Sequence, residues 1–104
     1  MQQKLSLPYT QTMFTEIYCV VGGRVQGVGY RDTIERYVRE HDLFGWIRNK
    51  EDGSVEMLVQ GAPDDLKVCI EVINQGSPLS RIESMSVDWR TPDVHYDDFK
   101  VLSS

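Results

Sequence analysis

A glycine-rich segment in the first third of the chain contains residue types that could bind an anion. Residues 22–29 read Gly-Gly-Arg-Val-Gln-Gly-Val-Gly, and helical spacing begins directly after them. The backbone N–H groups of such a turn can converge on one point, and the amino terminus of the following helix adds about half a positive charge. We therefore expect residues 23–30 to bind an oxyanion or a phosphate group, with a tight turn that binds no ligand as the alternative.

The side chain that follows this segment favours the first interpretation. Arg31 falls in the first turn of the predicted helix, and helical side chains lean toward the amino terminus. Its guanidinium group can therefore fold back over the loop and offer a planar fork to two phosphate oxygens.

A second polar side chain is expected at the same edge of the sheet. Asn49 closes the second predicted strand, which runs in the same direction as the first, so the carboxyl ends of the two strands share one edge. A carboxamide both donates and accepts hydrogen bonds and can therefore hold a water molecule. Arg31 and Asn49 together predict a site for a phosphate group and a water molecule.

The elements that must position these residues follow from apolar patterning and turn residues. Strands are predicted over 15–21, where Gly22 and Gly23 stop the first one, and over 44–49, 54–60, 81–89 and 99–102. One helix is predicted over about 30–41, and a second begins at Pro63 and is ended by Asn74-Gln75-Gly76. Asp52-Gly53 predicts a tight hairpin between the second and third strands.

The resulting order is β-α-β-β-α-β plus a terminal strand. Two βαβ-type halves joined by a hairpin indicate an α+β, ferredoxin-like two-layer sandwich. In this fold a mainly antiparallel sheet carries both helices on one face.

The length of 104 residues and the composition indicate one soluble domain over 14–104, preceded by a loose, flexible extension over 1–13. The net charge of −5 disfavours a nucleic-acid binder. This charge is uneven, because residues 1–50 carry a net +2 and residues 51–104 a net −7. Five arginines lie between positions 24 and 48, which fits an anionic small-molecule site, although Arg36 and Arg39 are expected on the solvated outer face of the first helix.

Other kinds of chemistry lack a matching pattern in the sequence. Cys19 and Cys69 have neither metal nor redox spacing and read as buried free thiols. His41 and His95 are expected in structural or exposed roles. No stretch reads as a membrane span or a signal peptide, and we expect a cytoplasmic protein.

Several segments together resemble the acylphosphatase family. They are Gly23–Arg31 (GRVQGVGYR), Gly45–Asn49 (GWIRN), Asp52–Glu56 (DGSVE), Gly61 and Gly76–Pro78. The resemblance extends from residue 15 to about residue 102. It departs from the family pattern at Tyr30, where phenylalanine is commoner, at Lys50, where a small or apolar residue is frequent, and at Ser77, which separates Gly76 from Pro78.

The resemblance implies roles for individual residues. Arg31 and the loop amides would bind the phosphate group, and Asn49 would orient the attacking water. The implied loop residues are Gly23, Arg24, Val25, Gln26, Gly27, Val28, Gly29 and Tyr30.

The implied activity is hydrolysis of the carboxyl–phosphate bond of a small-molecule acyl phosphate, giving a carboxylate and inorganic phosphate. No metal or cofactor, nucleic acid or membrane is expected, and the protein is expected to be a monomer. The alternative is a non-catalytic anion-binding or regulatory ferredoxin-like module. An RNA-binding module is disfavoured, because the strands lack paired aromatic RNA-binding motifs.

Overall fold

The computed structural model of the chain describes residues 14–103. Its elements, in chain order, are β1 Thr15–Arg24, α1 Tyr30–Glu40, β2 Phe44–Asn49, β3 Val55–Gly61, α2 Pro63–Gln75, β4 Arg81–Arg90 and β5 Phe99–Leu102. They form one sheet in the order β4-β1-β3-β2-β5, in which β2 and β5 are parallel and the other neighbours antiparallel. This topology confirms the predicted ferredoxin-like sandwich. The expected extension over 1–13 lies outside the described residues.

The core lies between the sheet and the two helices. Alternate residues of the central strands and one stripe of each helix are fully or almost fully buried. They are Ile17, Cys19 and Val21 of β1; Val55, Met57 and Val59 of β3; Tyr30, Ile34 and Val38 of α1; and Leu66, Cys69 and Ile73 of α2. Burial of a large apolar side chain contributes roughly 1.5–3 kcal/mol. This shared core fixes the amino terminus of α1 against the carboxyl ends of β1 and β2.

Strand β1 is longer than the sequence predicts, and the prediction that Gly22 and Gly23 stop it is wrong. The strand continues to Arg24, which pairs with Arg81 of β4 after a shift in register between the two glycines. Gly23 has a φ of 126°, and a Cβ there would overlap the Arg81 carbonyl oxygen. The glycines therefore allow a bulge and a close approach of two backbones, so β1 can continue through them.

Arg39 has a larger role than a solvated helix residue. Its guanidinium group donates to Glu35 at 3.0 Å, to Asp98 at 3.1 Å and to the Phe99 carbonyl oxygen. The last two contacts connect α1 to the start of β5. This arginine therefore serves the fold, and the sequence interpretation of it as part of the outer helix face is incomplete.

Gly45 in β2 determines how closely the strand that carries Asn49 approaches β3. Its φ is 136°, and a Cβ there would overlap the carbonyl oxygen of Leu58 on β3. Both the backbone conformation and the available space thus require glycine at this position.

We expect Gly45→Ala to lower the free energy of unfolding by about 3 kcal/mol or more, because it combines backbone strain with overlap in the sheet. Urea denaturation followed by circular dichroism measures this change. Gly53→Ala is the matched control, because Gly53 also has a positive φ, of 94°, but open space around it. A loss in Gly45→Ala no larger than that in the control would contradict this view of β2.

Candidate active site

The loop between β1 and α1 has the geometry of an anion-binding turn. Gly27 and Gly29 have φ values of 73° and 79°, whereas their neighbours Gln26, Val28 and Tyr30 have negative φ. Residues that alternate in this way turn successive N–H groups toward one side and form a concave anion site. Gly29 is also the residue that precedes the first turn of α1, so the positive end of the helix dipole adds to the same field.

A cleft of about 210 Å³ opens at this loop. It is lined by Val25, Gly27, Gly29, Tyr30, Arg31, Asp32 and Asn49. The structure thus brings together Arg31 and Asn49, which lie on different elements and are separated by 18 positions in the sequence.

Four of the loop residues to which the resemblance gives a role in phosphate binding do not line the cleft. Gly23 and Arg24 belong to β1, and both are exposed. Gln26 and Val28 are in the loop but do not line the cleft. The lining thus comes from the second half of the loop, together with Val25, the start of α1 and the end of β2.

Asn49 presents a buried acceptor at the cleft. Its Oδ1 atom is buried and has no hydrogen-bond partner among residues 14–103. A buried polar atom without a protein partner costs roughly 1–3 kcal/mol, so its retention suggests a bound donor such as water. Asn49 pairs with Val55 in the β2–β3 ladder, and this pairing fixes the backbone that carries the carboxamide.

Three hydrogen bonds hold the loop and the start of α1 in place. The Ser77 hydroxyl donates to the Val28 carbonyl at 2.8 Å, and the Thr33 hydroxyl donates to the Gly29 carbonyl at 3.0 Å. The phenol of Tyr30 donates to the carbonyl of Ile73 in the last turn of α2 at 2.7 Å. The bonds from Ser77 and Tyr30 could not be predicted from the sequence, because each joins segments far apart in the chain and no local sequence pattern marks it.

A second cavity lies beside the cleft and shares Asn49 with it. Its volume is about 430 Å³, and residues 48–52 line it. Lys50, one of the departures from the family pattern, is among these residues.

A charged network on the other side of the sheet supports the end of β2. Glu56 of β3 accepts a hydrogen bond from Arg48 Nε at 2.6 Å and another from the Tyr18 phenol. Burial by itself raises the pKa of Glu56, but the hydrogen bonds from Tyr18 and Arg48 outweigh it and bring the pKa below its ordinary value. The ionised carboxylate therefore holds the residue that directly precedes Asn49.

Within residues 14–103, no three His, Cys, Asp or Glu side chains cluster as metal ligands would. Neither α1 nor α2 is long and apolar enough to cross a membrane.

Comparisons with known proteins agree with the geometry. The family model described as acylphosphatase matches residues 17–101. The acylphosphatase of Salinibacter ruber is 40% identical over 81 residues, which cover 78% of this chain and 85% of that protein. The crystal structure of acylphosphatase from Bacillus subtilis matches with a TM-score of 0.81 and 32% identity, over 85% of this chain and 98% of that one. An acylphosphatase structure from Coxiella burnetii matches with a TM-score of 0.83 and 28% identity, over 89% and 97% of the two chains.

The fold and these similarities define a hydrolase built on a ferredoxin-like sandwich. The chain belongs to the acylphosphatase family, because the family model spans most of its length. This membership confirms the resemblance drawn from the sequence.

We expect the stability of the protein to fall on acidification, partly because of Glu56. Its folded-state pKa is depressed, so its contribution is complete above the pKa of an unfolded Glu, about 4.3, and is lost as the pH falls through the folded-state pKa. Glu56→Gln should therefore have a weaker pH dependence of the free energy of unfolding in this acidic range. Urea denaturation across the range measures it, with Glu71→Gln on the exposed side of α2 as the control. Equal pH dependence in Glu56→Gln and the native protein would contradict the assignment.

Proposed function

We propose that the protein hydrolyses the carboxyl–phosphate bond of small-molecule acyl phosphates, giving a carboxylate and inorganic phosphate. The observation that carries this proposal is the buried Oδ1 of Asn49, which has no hydrogen-bond partner within residues 14–103 and lies in the same cleft as Arg31. The guanidinium group of Arg31 suits a phosphate dianion, and the carboxamide of Asn49 suits a water molecule. Hydrolysis of a phosphate compound needs both.

The phosphate group would bind between the loop and Arg31. The amides of the turn around Gly27 and Gly29 and the amino terminus of α1 provide fixed partial positive charge. Arg31 adds a full charge and a fork that matches two phosphate oxygens. Phosphoryl transfer depends mainly on positioning and on stabilising charge at the equatorial oxygens, and these groups serve both needs.

The attacking water would be held by Asn49. A water that donates one hydrogen bond to Oδ1 has a lone pair free to point at the phosphorus. Its oxygen forms the new P–O bond while the bond to the acyl oxygen breaks on the opposite side, and the electron pair leaves with the carboxylate. The water proton passes to a phosphate oxygen, so the products are a carboxylate and inorganic phosphate.

The chemistry of the leaving group explains why so few side chains suffice. A carboxylate is a weak base and departs without a proton, so a general acid is unnecessary. The phosphate group takes the proton of the water, so a separate general base is unnecessary as well. We therefore propose that hydrolysis proceeds without a metal or cofactor, and chelators should leave the rate unchanged.

We further propose that the protein acts as a monomer in the cytoplasm. Arg31, Asn49 and residues of the loop line one cleft, so the proposed reaction requires no residue from a second copy of the chain. Cys19 and Cys69 are both free and buried, and burial raises the pKa of each thiol to about 12. Free thiols are typical of a reducing compartment.

Light scattering coupled to size-exclusion chromatography should give a mass near 12.0 kDa, and a mass of twice this value would contradict the monomer.

We expect Arg31→Ala and Asn49→Ala to impair the reaction in different ways. Arg31→Ala should abolish both phosphate binding and turnover, because the fork that contacts the phosphate is lost. Asn49→Ala should lower kcat by about 10²–10³-fold, because it removes one preorganised contact to the reacting water. It should leave the inhibition constant for inorganic phosphate within about threefold of the native value.

Release of phosphate from benzoyl phosphate measures these effects, with inorganic phosphate as competitive inhibitor. Arg36→Ala and Asn74→Ala are matched controls at exposed helix positions. Near-normal hydrolysis by either site variant would contradict the proposed roles. Competitive phosphate binding without hydrolysis by the native chain would instead indicate the anion-binding module.

A further inference from the structure

The side chain of Gln26 connects the loop between β1 and α1 to the hairpin that carries Asn49. This loop, residues 25–29, is called the phosphate loop. Its Nε2 atom donates to the carbonyl oxygen of Lys50 at 2.8 Å and to that of Ser54 at 2.9 Å. The two N–H groups of one carboxamide are thus both used by the turn that joins β2 to β3.

The two acceptors flank the place where Asn49 pairs with β3. Lys50 directly follows Asn49, and Ser54 is the residue before Val55, the ladder partner of Asn49. Gln26 therefore holds the hairpin at the place where the polypeptide leaves Asn49 and where it returns beside it.

Removal of these bonds would not leave a carbonyl unpaired. The Lys50 carbonyl also accepts from the Gly53 amide at 3.2 Å, and the Ser54 carbonyl also accepts from the Lys50 amide at 2.9 Å. The hairpin turn therefore closes through its own main-chain bonds. The bonds from Gln26 therefore fix the distance between this turn and the loop, whereas the turn would form without them.

We infer that Gln26 is a positioning residue that sets Asn49 at its working distance from the phosphate loop. Its side chain lies outside the cleft wall and is bonded to the hairpin, so it would act on the reaction through Asn49. This inference rests on the proposed function. A misplacement of about 1 Å at a reacting centre can cost about 10²-fold in rate, so the consequence should be visible in kcat.

The test uses Gln26→Met, which keeps the length and volume of the side chain and removes both donors. We expect kcat for benzoyl phosphate to fall by about 10–100-fold, with the inhibition constant for inorganic phosphate within about threefold. In an Asn49→Ala background the same substitution should lower kcat by less than about threefold, because the group it positions is absent. Gln75→Met at the exposed end of α2 is the matched control and should match the native enzyme.

Nuclear magnetic resonance supplies a readout that does not depend on turnover. The side-chain amide signals of Asn49 should broaden or shift in Gln26→Met, and the Gln75→Met spectrum should keep them unchanged. Unchanged Asn49 signals together with native kcat would overturn the inference while the proposed function stands. An equal fall in kcat in both backgrounds would also overturn it. Absence of hydrolysis by the native chain would instead refute the proposed function, and the Asn49 signals would still decide whether Gln26 positions this side chain.

Discussion

A phosphate site made largely of main-chain N–H groups requires that those groups point to one place and stay out of regular secondary structure. The loop between β1 and α1, the proposed phosphate site, can meet this requirement because Gly27 and Gly29 have positive φ values, whereas the residues beside them have negative ones. The rest of the fold holds this path in place. The core fixes the strand and the helix at its two ends, while Ser77 and Thr33 bind the carbonyl groups of the loop itself.

The two halves of the proposed site depend on different parts of the sheet. Arg31 is placed by α1, which packs against β2, β5 and α2, whereas Asn49 is placed by the β2–β3 ladder. Gln26 joins the two, because it starts in the loop and ends on the hairpin. Glu56 holds Arg48 from the opposite face of the sheet, so residues on both faces determine where β2 ends.

The sequence predicts where Arg31 and Asn49 lie better than it predicts the hydrogen bonds that hold the site in place. Helical spacing after Gly29 places Arg31, and the end of a strand at Asn49 places the carboxamide, because both signals are local. The bonds of Gln26, Ser77 and Tyr30 depend on how distant segments meet, so no spacing predicts them. The continuation of β1 to Arg24 was missed because glycine usually ends a strand, whereas here it permits a bulge and close backbone contact.

The buried acceptor of Asn49 has a consequence for the way such a protein changes under selection. Among residues 14–103 no protein group pairs with this oxygen, and a buried acceptor that only a bound water can satisfy contributes less to the folded state than an apolar group, so an apolar residue of similar size at this position should raise the melting temperature. Selection for heat resistance alone would therefore favour loss of the asparagine, as happens when stability and activity make opposite demands on one side chain. If Asn49 has the proposed role, its presence in this chain shows a position at which activity outweighs stability.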